Sequence, residues 1–378
     1  MTIRFNEPFV TGREIDYLQQ VISSKQFAGN GPFTKRTQKW FEGRYGVPHA
    51  LLTHSCTGGL ELAAMLLDLG PGDEVILPSY TFVSTATAFL RTGAKLVFCE
   101  VDPATMTIDV ADVERRITPN TKVIVPVHYA GVGADMTAVM ALAAKRGLHV
   151  VEDAAQGLDA KRDGKWLGGI APLAAVSFHE TKNVHCGLGG VLFVNDASLF
   201  DRAEDMWERG TDRSKMFKGL VDKYSWVEPG SSFYPSELQA AFLMAQLEAI
   251  EGNTRRRAEI WCQYETGLQD LGSDGTLRLC HIPEGCVSNF HAYWFHTASG
   301  AEADRLREHL SARGVQVTIH YVPLHGSKMG RKMGYRAEDL PVTVDAAERL
   351  LRLPLHDNLT DADVATVIRE VRGFFGRT

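Results

Sequence analysis

The stretch SFHETKNVHCGLGG holds one lysine, Lys182, five residues after Ser177 and five before the first of three glycines at 187, 189 and 190. A lysine directly after a buried strand is costly to desolvate unless its charge is neutralised or its pKa falls, and a depressed pKa is what condensation with a carbonyl needs. Taken alone, a lysine more often snorkels its head into water. Three other clusters carry comparable chemistry. In THSCTGGLE a strand gives way to a helix at Ser55, Cys56, Thr57 and Gly58, where free backbone N–H groups, the helix dipole and hydroxyls suit an anion. The plain alternative there is N-capping by Ser55 or Thr57. In HVVEDAAQG an apolar strand delivers Glu152 and Asp153 into a turn of small residues, where a carboxylate can hold a ligand cation. Alternatively one acid caps the next helix and the other faces solvent. In PSYTFVST, Pro78 ends a strand and Tyr80 or Phe82 could stack on a flat ring, although aromatics also fill cores.

Each signal is weak, but the conjunction is specific. An anion-binding helix start, an aromatic, a strand-end aspartate and a strand-end lysine, in that chain order, are the parts that hold pyridoxal 5'-phosphate (PLP). The phosphate sits on the helix N-terminus, the ring on the aromatic, the aspartate keeps the ring nitrogen protonated, and the lysine bonds to the aldehyde. The glycines of GLGG do not match G-x-G-x-x-G and precede a strand rather than a helix, so a nicotinamide site is unsupported.

The elements that must position these groups alternate between residues 49 and 195. Strand candidates are HALLTH, DEVILP, AKLVFCEV, TKVIVPVHY, LHVVED, AAVSFH and GVLFVN, and their near-continuous hydrophobicity fits a parallel sheet buried on both faces by helices. The crossover helices TGGLELAAMLLDLG and DMTAVMALAAKRG each close on a glycine suited to a C-cap. After residue 200 helical segments dominate, and the long stretch from SELQAA to GLQDLG suggests a bridge between a large domain, 1–250, and a small α+β domain, 251–378. In the latter, NFHAYWFHT and VQVTIHYV read as strands around the helix EADRLREHLSARG, before a final helix ADVATVIREVRGFFG. The expected class is therefore α/β, a mostly parallel sheet sandwiched by helices.

Composition narrows the function. The chain has 378 residues, 44% of them apolar, and a formal net charge of -6, so nucleic acid is a disfavoured partner. Arg255 to Arg257, the one dense basic run, reads as a solvated helix face. No apolar run approaches the roughly 18 residues of a membrane helix, and the start MTIRFNEPFV lacks a signal-peptide layout, so a cytoplasmic protein without a membrane partner is expected. The six cysteines form no C-x-x-C pair or metal-ligand cluster, so reduced thiols, no disulfide and no metal are expected.

These residues resemble the DegT/DnrJ/EryC1/StrS sugar aminotransferase family of fold-type-I PLP enzymes, nearly end to end, through GDEVILPSYTFVSTATAF, VPVHYAG, VEDAAQG, SFHETKN, SELQAA and HYVPLHG. Within it, LLTHSCTGGLELAAMLLD, DKYSWVEPGSSFYPSELQAAFLMAQLEA and RLLRLPL resemble the branch of dTDP-4-amino-4,6-dideoxygalactose transaminases. The resemblance implies that Lys182 bonds to the cofactor and Asp153 partners its ring nitrogen, the two catalytic residues. It implies that Gln156 neighbours the ring hydroxyl, Phe82 stacks on the ring with Tyr80 as lining, and Cys56, Thr57 and Ser177 hold the phosphate. Asn183 follows the lysine in the shared SFHETKN segment and completes the cofactor-binding set with Ser232, which stands where many relatives place an asparagine that reaches the phosphate from the neighbouring subunit. Leu188 replaces the usual acid of GEGG or GDGG, and Gly58 the usual Ala or Ser, which eases backbone approach.

The implied reaction takes an amino group from L-glutamate and delivers it to the C4 ketone of a dTDP-4-keto-6-deoxyhexose, in a homodimer with shared active sites. Arg209, Lys223, Tyr224, His320, Tyr321 and His325 are the expected substrate contacts; the histidines could equally be structural and Lys223 a solvated charge. Amination at C3, or of a UDP or GDP sugar, differs only by a few loop contacts. Related sugar dehydratases replace the lysine by histidine, so Lys182 argues against them. A sugar-nucleotide oxidoreductase would need the missing glycine fingerprint, and a non-catalytic binding module would not need the lysine.

Overall fold

The computed structural model describes residues 2–377. All seven strand candidates form, as β1 (Ala50–Thr53), β2 (Glu74–Pro78), β3 (Lys95–Cys99), β4 (Thr121–Ile124), β5 (His149–Asp153), β8 (Leu173–Ser177) and β9 (Gly190–Val194), with the two-residue β6 (Lys161–Arg162) and β7 (Lys165–Trp166) between β5 and β8. They make one sheet in the order β1-β9-β8-β5-β4-β2-β3. The pairs β2–β3, β2–β4, β4–β5 and β5–β8 are parallel, whereas β9 runs antiparallel to both β1 and β8. The sheet is thus mostly parallel, as expected, with β9 the strand that departs from it. Residues 178–189, which join β8 to β9 and carry Lys182, contain no helix, and an antiparallel neighbour needs no helical crossover.

Both sheet faces are covered. On one, Leu60, Leu62 and Phe89 of the helices Cys56–Leu66 and Val83–Leu90 pack with Leu51, Val75 and Leu192 of the strands. On the other, Phe41 stacks on Phe178, its ring centroid 5.5 Å away, and meets Phe193 edge-on. Burial from two sides explains why these strands read as continuous apolar runs. The helix Met136–Arg146 closes on Gly147 in the left-handed region, φ 66°, as expected. The helix Cys56–Leu66 instead ends at Leu67, and Gly70 belongs to the following turn, where its N–H meets Asp73.

The long helical stretch divides at Ala249 into Glu237–Glu248 and Ile250–Ser273. Beyond it lie β10 (Arg278–Leu279), β11 (Cys286–Val287), β12 (Tyr293–His296) and β13 (Leu350–Leu353), of which β10, β12 and β13 form an antiparallel sheet. The helices Gly300–Ala312 and Asp361–Phe374 match expectation. VQVTIHYV does not form a strand: it makes only the isolated bridges Ile3–Val315 and Thr318–Arg352, because its later residues turn to line a cavity. Among the described residues, two β-type pairings cross position 250, the Ile3–Val315 bridge and the pairing of β11 with β6, beside several hydrogen bonds such as that of Gln156 to Tyr321. The basic run is also corrected. Only Arg255 is exposed, and Arg257 is buried in an ion pair with Asp357 at 3.1 Å.

At the centre of the main sheet, β5 ends in two acids. The fully buried Glu152 accepts the N–H groups of Gly168, Ile170 and Ala171 at 2.8, 2.9 and 2.6 Å and a ring nitrogen of His128 at 2.9 Å. Glutamine there would aim an NH2 at buried donors and leave them unsatisfied. Glu152→Gln should therefore cost about 2–4 kcal/mol, read as a lowered urea midpoint with an unchanged slope; an unchanged midpoint would refute this role.

Candidate active site

A cavity of about 470 Å³ opens beyond the carboxyl ends of the strands, where open α/β sheets bind ligands. One wall comes from the segments that follow β1, β2, β4, β5 and β8; the other comes from Phe5, Asn6 and the C-terminal residues Arg257, His291, Thr318, His320, Tyr321 and Arg352.

At the helix start, Ser55 is the N-cap: its hydroxyl takes the Gly58 N–H at 3.0 Å and its carbonyl that of Gly59 at 3.1 Å. The N–H groups of Cys56 and Thr57 precede the first intrahelical donors, so cap and anion site coexist in one turn. Thr57 Oγ1 donates to Ser84 Oγ at 2.8 Å. Close approach of β9 is what brings this helix start to the lysine loop: a Cβ on Gly190 would lie 2.5 Å from the Cys56 nitrogen. A Cβ on Gly58 would lie 2.8 Å from the His54 ring, so glycine does more here than ease approach.

Asp153 ends β5 facing the cavity. Thr85 donates to its Oδ2 at 2.6 Å and the Ala155 N–H to its Oδ1 at 3.0 Å. Thr81 and Thr85 hydroxyls meet at 2.7 Å, extending the chain of neutral partners. Gln156 accepts the Ala130 N–H at 2.7 Å and donates to the Tyr321 hydroxyl at 2.9 Å. Phe82, 57% exposed, and Leu188, 52% exposed, both line the cavity where it meets solvent.

Lys182 keeps one face open to the cavity while protein surrounds the rest of its side chain, and this desolvation lowers its pKa to about 8; Cys56 and Asp153 oppose the shift and Arg352 adds to it. Burial raises the neighbouring Cys56 thiol well above its usual range, with the Asp153 charge adding to the effect. The lysine is thus the readily deprotonated partner.

Of the expected cofactor residues, Cys56, Thr57, Phe82, Asp153, Gln156, Ser177 and Lys182 line this cavity, as do His320 and Tyr321 of the substrate set. Asn183 does not: it turns away to the carbonyl of Asn289 and the ring of His291, each at 2.8 Å. Tyr80, expected as lining, is buried behind the wall with its hydroxyl 3.1 Å from that of Tyr129. His325 is fully buried, bonded to Ser79 at 2.6 Å and to the Ala337 carbonyl. Arg209, Lys223, Tyr224 and Ser232 lie on an exposed segment outside the cavity. Thr85, Arg257 and Arg352 were not singled out from the sequence for this site. Thr85 lies in the same stretch as Phe82, and Arg352 in RLLRLPL, so both were in view without a chemical signal of their own.

The sequence pattern of the DegT/DnrJ/EryC1/StrS aminotransferase family matches residues 9–372. A curated relative, dTDP-4-dehydro-2,3,6-trideoxy-D-glucose 4-aminotransferase of Saccharopolyspora spinosa, is 34% identical over 97% of this chain and 95% of its own. The crystal structure of an aminotransferase, TlmJ, from Streptoalloteichus hindustanus superposes with a TM-score of 0.91 at 33% identity, covering 100% of this chain and 99% of that one. A putative sugar aminotransferase, Spr1654 from Streptococcus pneumoniae, in its PMP form, gives 0.91 at 25% identity, covering 99% and 98%.

The cavity fits PLP on its own chemistry. The helix start offers N–H groups and hydroxyls for a phosphate, the Asp153 side chain accepts hydrogen bonds only from a hydroxyl and a backbone N–H, and Lys182 supplies an amine of lowered pKa. Because the folded pKa lies below that of a free lysine, the amine is mostly protonated below pH 8 and mostly neutral above it. In cofactor-free protein, reductive methylation of Lys182, followed by mass spectrometry, should rise with a midpoint near pH 8; a midpoint in the range of the surface lysines would refute the desolvated setting.

Proposed function

The chain belongs to the DegT/DnrJ/EryC1/StrS aminotransferase family and is a PLP-dependent sugar aminotransferase, and from that premise we propose its reaction: L-glutamate gives its amino group to the C4 ketone of a dTDP-4-keto-6-deoxyhexose, dTDP-4-dehydro-6-deoxyglucose, forming a dTDP-4-amino-4,6-dideoxyhexose. The observation that carries the ring position and nucleotide is the Saccharopolyspora relative, whose named reaction is at C4 of a dTDP-4-dehydro sugar and whose similarity spans nearly the whole chain.

PLP supplies, when bound, an aldehyde that takes up amines and a ring that draws electrons from the adjacent bond. In our reading Cys56, Thr57 and Ser177 hold its phosphate, Phe82 covers one ring face, and Gln156 meets the ring hydroxyl. Asp153, oriented by Thr85 and Ala155, sets its negative charge against the ring nitrogen and keeps a proton there. Lys182 Nζ, released when the donor amine is taken up, removes the proton from the carbon that bears that amine and returns one at the far end of the same bond system. A pKa of about 8 leaves it able to act in both directions near neutral pH. In the second half the same groups act in reverse order on the sugar ketone, with His320 and Tyr321 facing the sugar.

We further propose a cytoplasmic homodimer with shared sites, built on 1–250 as the cofactor-binding domain and 251–378 as the smaller one. Supporting this, the segment around Lys223 exposes Phe217, Leu220 and Trp226, the last 78% accessible, an apolar surface of the kind that a second copy covers. Such a partner would bring Arg209, Lys223, Tyr224 and Ser232 toward a neighbouring cavity, while His325 would shape the wall through Ser79. No helix among the described residues is long and apolar enough to cross a membrane.

Purified protein should be yellow, with an absorbance band that borohydride removes and that Lys182→Ala lacks. Incubation with dTDP-4-keto-6-deoxyglucose and glutamate should yield a 4-amino sugar by NMR. Colourless protein that ignores added PLP would overturn the cofactor assignment, and turnover of a 3-keto isomer alone would overturn the regiochemistry.

A further inference from the structure

Two guanidinium groups reach the cavity from the C-terminal part of the chain, and their partners differ. Arg257 is neutralised by Asp357 at 3.1 Å and also donates to the carbonyls of Phe290, His291 and Leu355. Arg352, on β13, is only 4% exposed and makes no ion pair within hydrogen-bonding reach among the described residues, although Asp153 lines the same cavity. Its Nη1 donates to the ring of His320, its Cζ lies 5.2 Å from the Phe5 ring centroid, and its Nε is buried without any partner. His320 cannot cancel the charge, because burial, and then the charges of Arg352 and Lys182, push its pKa far down and leave the ring neutral. A buried guanidinium with an unused N–H and no paired counter-charge is costly to keep, and a bound carboxylate is the ligand that its planar fork matches.

We infer that Arg352 binds the α-carboxylate of the amino donor. This rests on the reading above that the donor is an amino acid. The cofactor phosphate is an unsuitable occupant, since its donors are at the Cys56 helix start, whereas Arg352 enters beside His320 from the second sheet. The diphosphate of a sugar nucleotide fits less well, because a whole sugar ring separates it from the ketone carbon that must meet the amine. An α-carboxylate is one bond from the carbon that carries the amine, so its binding group must lie near Lys182. Arg352 and Lys182 line the same cavity, and the Arg352 charge adds to the lowering of the lysine pKa.

The test compares half-reactions of the PLP-loaded enzyme by absorbance. In Arg352→Met the cofactor band should persist and the apparent glutamate affinity should fall roughly 100-fold, far more than the apparent affinity for the dTDP-4-amino sugar in the reverse reaction, which loses only the support that Arg352 gives His320. Arg352→Lys, which keeps the charge but not the fork, should fall in between. The wild-type enzyme gives an arm independent of folding: glutamine, amidated at the side chain, should react far better than isoglutamine, amidated at the α-carboxylate. Equal losses in both half-reactions, a loss confined to the amino sugar, or equal reaction of the two amides would overturn the inference. If glutamate reacts while no dTDP-amino sugar does, the substrate reading fails and the glutamate comparison still decides the role of Arg352.

Discussion

Two carboxylates one residue apart on a central strand cannot do the same job, because successive side chains leave a strand on opposite sides. Glu152 goes into protein and is saturated by three backbone N–H groups and His128; Asp153 goes to the cavity with only a hydroxyl and one N–H to hold it. The first acid ties the turn at residues 168–171 and the His128 segment to the end of β5. That anchoring leaves the second in one orientation, with charge to spare. Without the buried acid, the strand end that carries Asp153 would lose its lateral support on two sides.

Electrostatic asymmetry follows from this arrangement. Asp153 is the anionic group, Lys182 is desolvated towards neutrality, and Arg257 is cancelled by Asp357. A ligand that brings a cationic ring nitrogen to Asp153 and an anionic group to each remaining donor set completes the balance. Cys56 stays a thiol because burial raises its pKa, so it shapes the helix start without competing with Lys182 as a nucleophile. The cavity is selective less through any single strong contact than through which of its charges are already paired.

Much of this was legible in the chain, and the reasons differ by element. The seven main-sheet strands were readable because two-sided burial forces continuous apolar runs, and the strand-end rule then pointed to Thr57, Asp153 and Lys182. What escaped depends on contacts between distant segments. VQVTIHYV has a strand's composition, yet it spends its polar positions on the cavity. The short β13 was readable only as part of a resemblance, since LLRL is too brief to carry a period. Arg257 sits in a basic run that looks solvated until Asp357, far along the chain, is folded against it. Arg352 gives no local hint because its significance is the lack of a paired counter-charge, which no sequence spacing displays.

Asn183 illustrates how neighbours in sequence can divide a task. It follows the lysine directly, yet its side chain points into the C-terminal part of the molecule, to the Asn289 carbonyl and the His291 ring, and its own carbonyl accepts from Asn253 at 3.3 Å. Asn289 in turn bonds to the carbonyls of Gln156 and Leu158 at 2.9 and 2.7 Å, and the His291 carbonyl accepts from Arg257. The Lys182 loop, the turn after Asp153 and the helix Ile250–Ser273 therefore share one buried hydrogen-bond network. In such a network each partner's loss leaves others unsatisfied. The position of the lysine amine is thus set as much by the C-terminal segments as by the sheet that delivers it, which is why the loop can stay helix-free and still hold a desolvated amine in place.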